Sequence, residues 1–169
     1  TRGRVRPVPG APPPPIAGLD PSALLGRWHI AATTLGFWRG RTDATVEYVA
    51  RPDGRWDDTL RYRDGARARS LAGLDTPLDG RPGFFRWRGA GWLGWCTSTW
   101  GFVALDPEGG WAVTWFSRAT LGVTPEGMDV YARAPLAEPE IERVLAEVRG
   151  RPELPRLEGW FTIPRTVAP

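Results

Sequence analysis

The sequence predicts an all-β fold, an eight-stranded antiparallel up-and-down β-barrel with one C-terminal α-helix packed on the outside. Three observations predict it. Short runs of alternating apolar and polar residues recur at even spacing from residue 26 to residue 134, and the stretches between them carry turn residues. The composition is also rich in Trp and Gly, with ten and 21 copies in 169 residues. Aromatic side chains suit pleated, half-buried strands, and glycine supplies the positive φ of tight turns. That length favours one domain with a sizeable core. A hydrophobic content of 41% and a charged content of 24% are those of a folded chain.

Residues 1–18 read as an extended tail. Arg2, Arg4 and Arg6 precede Pro12-Pro13-Pro14-Pro15, which forms neither helix nor interior strand, so the tail is ordered only where it lies across the barrel. The barrel domain occupies 19–169. Asp20 caps a single helical turn that Pro21 opens, closing the barrel floor. Gly26-Arg27-Trp28 then starts the first strand, the glycine letting the chain bend and the Trp dropping into one end of the barrel.

The eight strands are expected at about 26–36, 43–51, 54–62, 66–73, 83–88, 97–106, 111–118 and 127–134. Pro52-Asp53-Gly54, Asp64-Gly65, Asp79-Gly80 and Pro107-Glu108-Gly109-Gly110 supply the turn chemistry between them. With the floor at Gly26, the connections at 37–42, 63–65, 89–96 and 119–126 share the far end, which makes that end a mouth. Those at 52–54, 74–82 and 107–110 lie at the floor. A helix is expected at about 139–149, where Ile141, Val144, Leu145 and Val148 repeat at i, i+3, i+4 and i+7 between Pro139 and Gly150. Its single apolar stripe must pack on the barrel exterior. Residues 159–163 read as a further short strand.

The net charge is +3 with a pI near 9.7, and all 22 basic residues are Arg. They alternate with apolar residues and are offset by 19 acids, which fits a solvated barrel exterior and argues against a nucleic-acid partner. No run of about 18 apolar residues is present, so no transmembrane helix is expected. One cysteine, Cys96, and one histidine, His29, leave no internal disulfide and no Cys- or His-rich metal site, and no cofactor is expected. Cys96 sits beside the mouth as an inert, half-buried thiol. His29 sits near the floor and points outward, so the two do not form a nucleophile–base pair and His29 is not placed to ligate haem inside the barrel. The chain begins at Thr1 without Met, a signal h-region or a lipidated cysteine; secretion or the cell envelope follows if a targeting segment has been removed, and the cytoplasm otherwise.

This layout resembles the lipocalin family, and more closely its bacterial, apolipoprotein-D-like branch. Gly26-Arg27-Trp28 matches the first family signature, Val103-Ala104-Leu105-Asp106 resembles the second, and Tyr131-Ala132-Arg133-Ala134-Pro135 resembles the third. The resemblance covers about residues 19–165 and implies that Gly26, Trp28 and Arg133 are structural, with Arg133 stacked on Trp28 at the floor. His29 stands where the family commonly has Tyr, the disulfides of many members are missing, and the connection at 119–126 is longer than expected.

Alternation assigns the interior face. Trp56, Asp58, Leu60 and Tyr62 share one face of the third strand, and Arg55, Asp57, Thr59, Arg61 and Arg63 the other. Ala44, Val46 and Tyr48 point inward from the second strand, Ala66, Ala68 and Ser70 from the fourth, and Phe85 and Trp87 from the fifth. On the seventh strand both Trp111/Val113/Trp115 and Ala112/Thr114/Phe116/Arg118 form consistent faces; the helix needs an apolar partner, so the Trp face is given to it and Thr114, Phe116 and Arg118 to the cavity. The family register implies the same, and also places Trp100, Phe102, Asp129 and Tyr131 inside.

The result is an aromatic-walled calyx with a few polar groups, among them Asp58, Arg118, Asp129 and three tyrosines, which suits a small hydrophobic molecule. Arg118 is available for an anionic or polar end and could pair with Asp129, or it simply reaches solvent at the rim. Phe37, Trp38, Arg39 and Arg41, with Trp92 and Trp95, lie on connections at the mouth, as ligand lids, partner contacts or loop packing. Three functions follow. The first is binding of a small, largely apolar or aromatic ligand for carriage or sequestration. The second is an isomerase or cyclase on the same fold, with Asp58, Asp129 and Tyr131 as candidate catalytic groups. The third is a protein contact through the Trp-rich rim.

Overall fold

The computed structural model describes residues 8–166; Arg2, Arg4 and Arg6 lie outside them. Eight strands form in chain order: β1 (Gly26–Thr33), β2 (Arg41–Ala50), β3 (Trp56–Asp64), β4 (Arg67–Pro77), β5 (Phe84–Gly89), β6 (Thr97–Leu105), β7 (Trp111–Phe116) and β8 (Gly127–Ala132). Each pairs antiparallel with the next, and β8 returns to β1, which also pairs with β2, so the barrel is closed. The helix α1 spans Glu138–Gly150 and a ninth, short strand β9 spans Phe161–Thr162.

β1 closes the barrel by changing partners along its length. Gly26 to His29 pair with β2, while Ala32 and Thr33 pair with β9. The C-terminal segment therefore fills the seam where β2 leaves β1. Asp43 donates its backbone N–H to the Pro164 carbonyl at 2.9 Å, and its carboxylate accepts the Thr166 N–H at 2.8 Å. Asp43 has φ of 56° beside a register slip between Thr42 and Thr45, the kind of irregularity that bends a strand.

The floor is built from the Gly26-Arg27-Trp28 stretch. Trp28 is buried, and its indole N–H donates to the Leu24 carbonyl at 2.8 Å. The Arg133 guanidinium lies 3.6 Å over the Trp28 ring and donates to the carbonyls of Arg27 and Ala23 at 3.0 Å each. Gly26, at φ of 92°, gives the backbone the left-handed turn this needs, and a β-carbon there would touch the guanidinium at 3.4 Å. The described part of the tail also lies at this end: Ile16 and Leu19 pack on the interior cluster, and Arg81 donates to the Pro13 carbonyl at 2.5 Å.

Apolar side chains form two layers divided by the sheet. Inside are Trp28, Trp56, Phe85, Trp100 and Phe102; outside, Val113, Trp115, Met128 and Val130 lie under Ile141, Val144, Leu145 and Val148 of α1. Trp111 also joins the outer layer, so the Trp face of β7 meets the helix. Pro139 sits in the first turn of α1, and the Glu140 side chain accepts the Ala137 N–H at 2.9 Å.

Several strand bounds and one face differ from those expected: β2 begins two residues earlier, β3 is shifted two residues along the chain, and β8 ends two residues early. β1 stops at Thr33, and a 3₁₀ turn at Gly36–Trp38 follows. β7 stops at Phe116, two residues early. β4 continues to Pro77, and its inward face is the opposite of the one expected: Ala66, Ala68 and Ser70 are exposed, while Gly73 and Asp75 are buried. The cause is the two-residue turn at Gly65-Ala66, which pairs Asp64 with Arg67 and hence Asp58 with Gly73. Residues directly opposite share a face, so odd positions of β4 point inward. Among the described residues no helix is long and apolar enough to cross a membrane.

Candidate functional site

The lower half of the barrel is packed solid and the upper half is not. Tyr48 is the pivot: its ring stacks on Trp100 at 5.2 Å and leans on Trp56 at 5.6 Å. Below it Trp56 and Phe85 approach to 4.4 Å, and Phe102 lies against Trp28 and Tyr131 at 6.3 and 6.1 Å. Above it a cavity of about 350 Å³ remains, within the range of small-molecule sites.

Of the residues expected to line it, Tyr48, Asp58, Leu60, Trp87, Trp100, Phe116, Asp129 and Tyr131 do so, and from the rim Phe37, Trp38 and Trp92. Val46, expected to point inward, also lines it, and Leu35, Leu71, Leu93, Cys96, Ser98, Ala119, Val123 and Thr124 complete the wall. Trp56, Phe85 and Phe102 are inside the barrel but belong to the packed plug beneath. Thr114 is fully buried, opposite Asp129 in register, and does not line the cavity. Tyr62 stays at the rim, edge-on to Phe37 at 5.7 Å and Trp38 at 5.5 Å, and Trp95 is half exposed outside the cavity.

Arg118 is the main correction. It is exposed and makes no ion pair with Asp129. The Ser117 N–H donates to the Thr99 carbonyl at 2.7 Å and its hydroxyl accepts the Thr99 N–H at 2.8 Å, so this residue ends the β6–β7 ladder and the chain turns away. Arg118 then folds over Gly122 in the next connection. The other rim cations are also engaged elsewhere: the Arg41 guanidinium lies 4.0 Å over Phe37 and bonds the Phe37 carbonyl, and that of Arg39 lies 4.3 Å over Phe161. Among the described residues no cationic side chain lines the cavity.

Its polar groups are acidic or neutral. Asp58, on β3, is 8% exposed, and the carboxyl that faces it is that of Asp75 on β4, which is 0% exposed. Asp75 falls in the connection expected at 74–82, beyond the strand expected at 66–73, and on the face of β4 opposite to the one the sequence predicts. Its Oδ1 accepts the Trp100 indole N–H at 2.8 Å, while Oδ2 meets no other hydrogen-bonding group than the Asp58 carboxyl. Two carboxyls packed together in an apolar setting cannot both ionise at low cost. Burial, and then the charge of Asp58, hold Asp75 well above the usual carboxylate range, so Asp75 keeps the proton and donates it to Asp58, whose own value burial raises to about 7.

On the opposite wall Asp129 accepts the Thr33 hydroxyl at 2.6 Å, and burial raises it to about 7 against that bond. Between the two acids the hydroxyls of Tyr48 and Tyr131 meet at 3.1 Å; burial pushes both phenols well above their ordinary value. The interior thus holds three separate hydrogen-bonded polar pairs, Asp75 with Asp58, Tyr48 with Tyr131, and Thr33 with Asp129.

Cys96 is buried in the cavity wall. His29 faces out, bonded to Arg165, and burial with the Arg165 and Arg27 charges lowers its basicity. It borders an open cleft of about 800 Å³ between β1, the start of α1 and the C-terminal segment. That cleft is larger than the interior cavity, but the buried polar groups converge inside the barrel, which makes the interior the candidate site. No protein-family model matches this chain, and no curated protein matches its sequence.

Proposed function

We propose that this chain is a lipocalin-like binder that encloses a small, largely apolar or aromatic molecule in its calyx for carriage or sequestration. The observation that carries the reading is the contrast within one barrel: a solid aromatic plug below Tyr48 and an open, aromatic-walled space of about 350 Å³ above it. A core that was only structural would fill that space, because interiors close to crystal density are favoured. Trp87 and Trp100 in the wall make titration of tryptophan fluorescence the direct test. Saturable quenching by members of a panel of fatty acids, retinoids and polyaromatic compounds is expected. Silence across the panel in a folded sample refutes the proposal.

One observation favours an isomerase or cyclase as a second reading: the Asp58–Asp75 pair holds a proton beside an aromatic-walled space, which suits general acid catalysis on a flexible hydrophobic substrate. Turnover lost on Asp58→Asn while binding is retained distinguishes it from carriage. A protein contact through the rim rests on Trp92, 82% exposed, and Trp95.

A further inference from the structure

The sequence suggested an anionic end for the ligand, held by Arg118. With Arg118 in solvent and Arg39 and Arg41 drawn onto Phe161 and Phe37, the electrostatics of the cavity reverse. We infer that the calyx takes an organic cation, a lipophilic amine whose ammonium group meets the Asp58 carboxylate and whose carbon skeleton lies among the aromatic walls. The inference rests on the calyx reading and specifies its ligand.

Three features support it. Asp58 is more than nine-tenths buried, lines the cavity, and has the Asp75 carboxyl as its one polar partner among the described residues, which leaves acceptor positions directed at the cavity. A protonated Asp75, fixed by the Trp100 indole N–H, supports an ionised Asp58 with a hydrogen bond without supplying a neutralising charge. Tyr48, Trp87, Trp100 and Phe116 line the space and give the carbon skeleton of the amine an apolar, aromatic wall, with no basic group among them to repel its ammonium. The groups facing Asp58 and Asp129 are Thr33 from β1, Tyr48 from β2, Asp75 from β4, Trp100 from β6, Thr114 from β7 and Tyr131 from β8, none of them basic.

An isosteric series decides the matter: 4-phenylbutylamine, 4-phenylbutan-1-ol and 4-phenylbutanoate, titrated calorimetrically at pH 7.5 in two buffers of different ionisation enthalpy. The amine is expected to bind about tenfold or more tighter than the alcohol, as one charge-assisted hydrogen bond implies, and the carboxylate weakest. Amine binding should also release a fraction of a proton, because the ammonium drives Asp58 to its ionised form. Asp58→Asn should bring the amine-to-alcohol ratio close to one. If that variant fails to fold, the ranking of the three compounds on the native protein still decides. Binding of the alcohol or the carboxylate at least as tight as that of the amine overturns the cation and leaves the calyx standing; binding of none of the three overturns both.

Discussion

Asp129→Asn should change the pH dependence of stability by an amount the structure fixes. Asp129 is 2% exposed and its carboxyl titrates at about 7 in the folded protein against an ordinary value of 3.8. The folded state therefore holds a proton that the unfolded chain has given up through most of that interval, and stability contributed by this group is present in acid and lost as pH rises. Each pH unit is worth about 1.4 kcal/mol, so between pH 5 and pH 8 the native protein loses about 3 kcal/mol through this residue alone. Asparagine keeps the shape and the acceptor for the Thr33 hydroxyl but cannot ionise. Urea denaturation of both proteins at pH 5 and pH 8 should show the variant gaining about 3 kcal/mol on the native protein across that range. The Asp58–Asp75 pair pulls in the same direction, and His29, whose basicity is lowered, in the opposite one, but both are common to the two proteins and cancel in the comparison. A stability difference that does not vary with pH would show that Asp129 is already ionised in the folded state, and the account of the buried acids would fall with it.

Two further changes probe the scaffold around the cavity. Trp28→Ala removes the floor plug together with the ring under Arg133 and should cost about 3–5 kcal/mol, seen as a fall of roughly 10 °C in Tm, while ligand ranking in the calyx is retained; altered selectivity with stability intact would make Trp28 part of the site. Gly73→Ala places a β-carbon 2.0 Å from the Trp87 indole nitrogen, so the ring must move off the β4 backbone. A loss of about 1–3 kcal/mol and a changed tryptophan emission spectrum are expected, and an unchanged spectrum would mean that Trp87 does not lie on Gly73.

How much of this was legible in the sequence depends on the local signal at each place. On β3 the alternation Trp56, Asp58, Leu60 is clean because one face of the strand is wet and the other dry, and the period alone identifies the inward set. β4 offers no such contrast. Ala66, Ala68 and Ser70 are small enough to read as interior, and Leu71-Ala72-Gly73-Leu74 has no period, so Asp75 was hidden. The information was present one step away: in a two-residue hairpin with Asp64 opposite Arg67, every opposed pair has positions summing to 131, which sets Gly73 across from Asp58 and turns Leu71 and Asp75 inward. Arg118 was missed for a different reason. Its parity on β7 is right, but the Ser117 hydroxyl ends the ladder, and side-chain competition for backbone hydrogen bonds leaves no periodic trace.

The two ends of the barrel obey different rules, and that difference is the strongest guide to function. At the floor every local preference agrees with the fold: the Trp28 and Arg133 donors are satisfied, the indole is covered by a cation, and Gly26 sits where only glycine is comfortable. In and behind the cavity wall three aspartates are buried at a cost that asparagine or leucine at the same positions would avoid, and no basic side chain offsets them. Buried carboxyls with hydrogen-bond partners but no neighbouring cation still carry a desolvation cost. Violations of local consistency of this kind concentrate at functional sites. Asp75 sharpens the point: it touches no solvent and spends its two oxygens on Trp100 and Asp58, so its effect on a ligand is to set where Asp58 points and when it ionises. A carboxyl whose only outlet is another carboxyl at a cavity wall has a physical rationale when the cavity receives positive charge, and lacks one in an inert core.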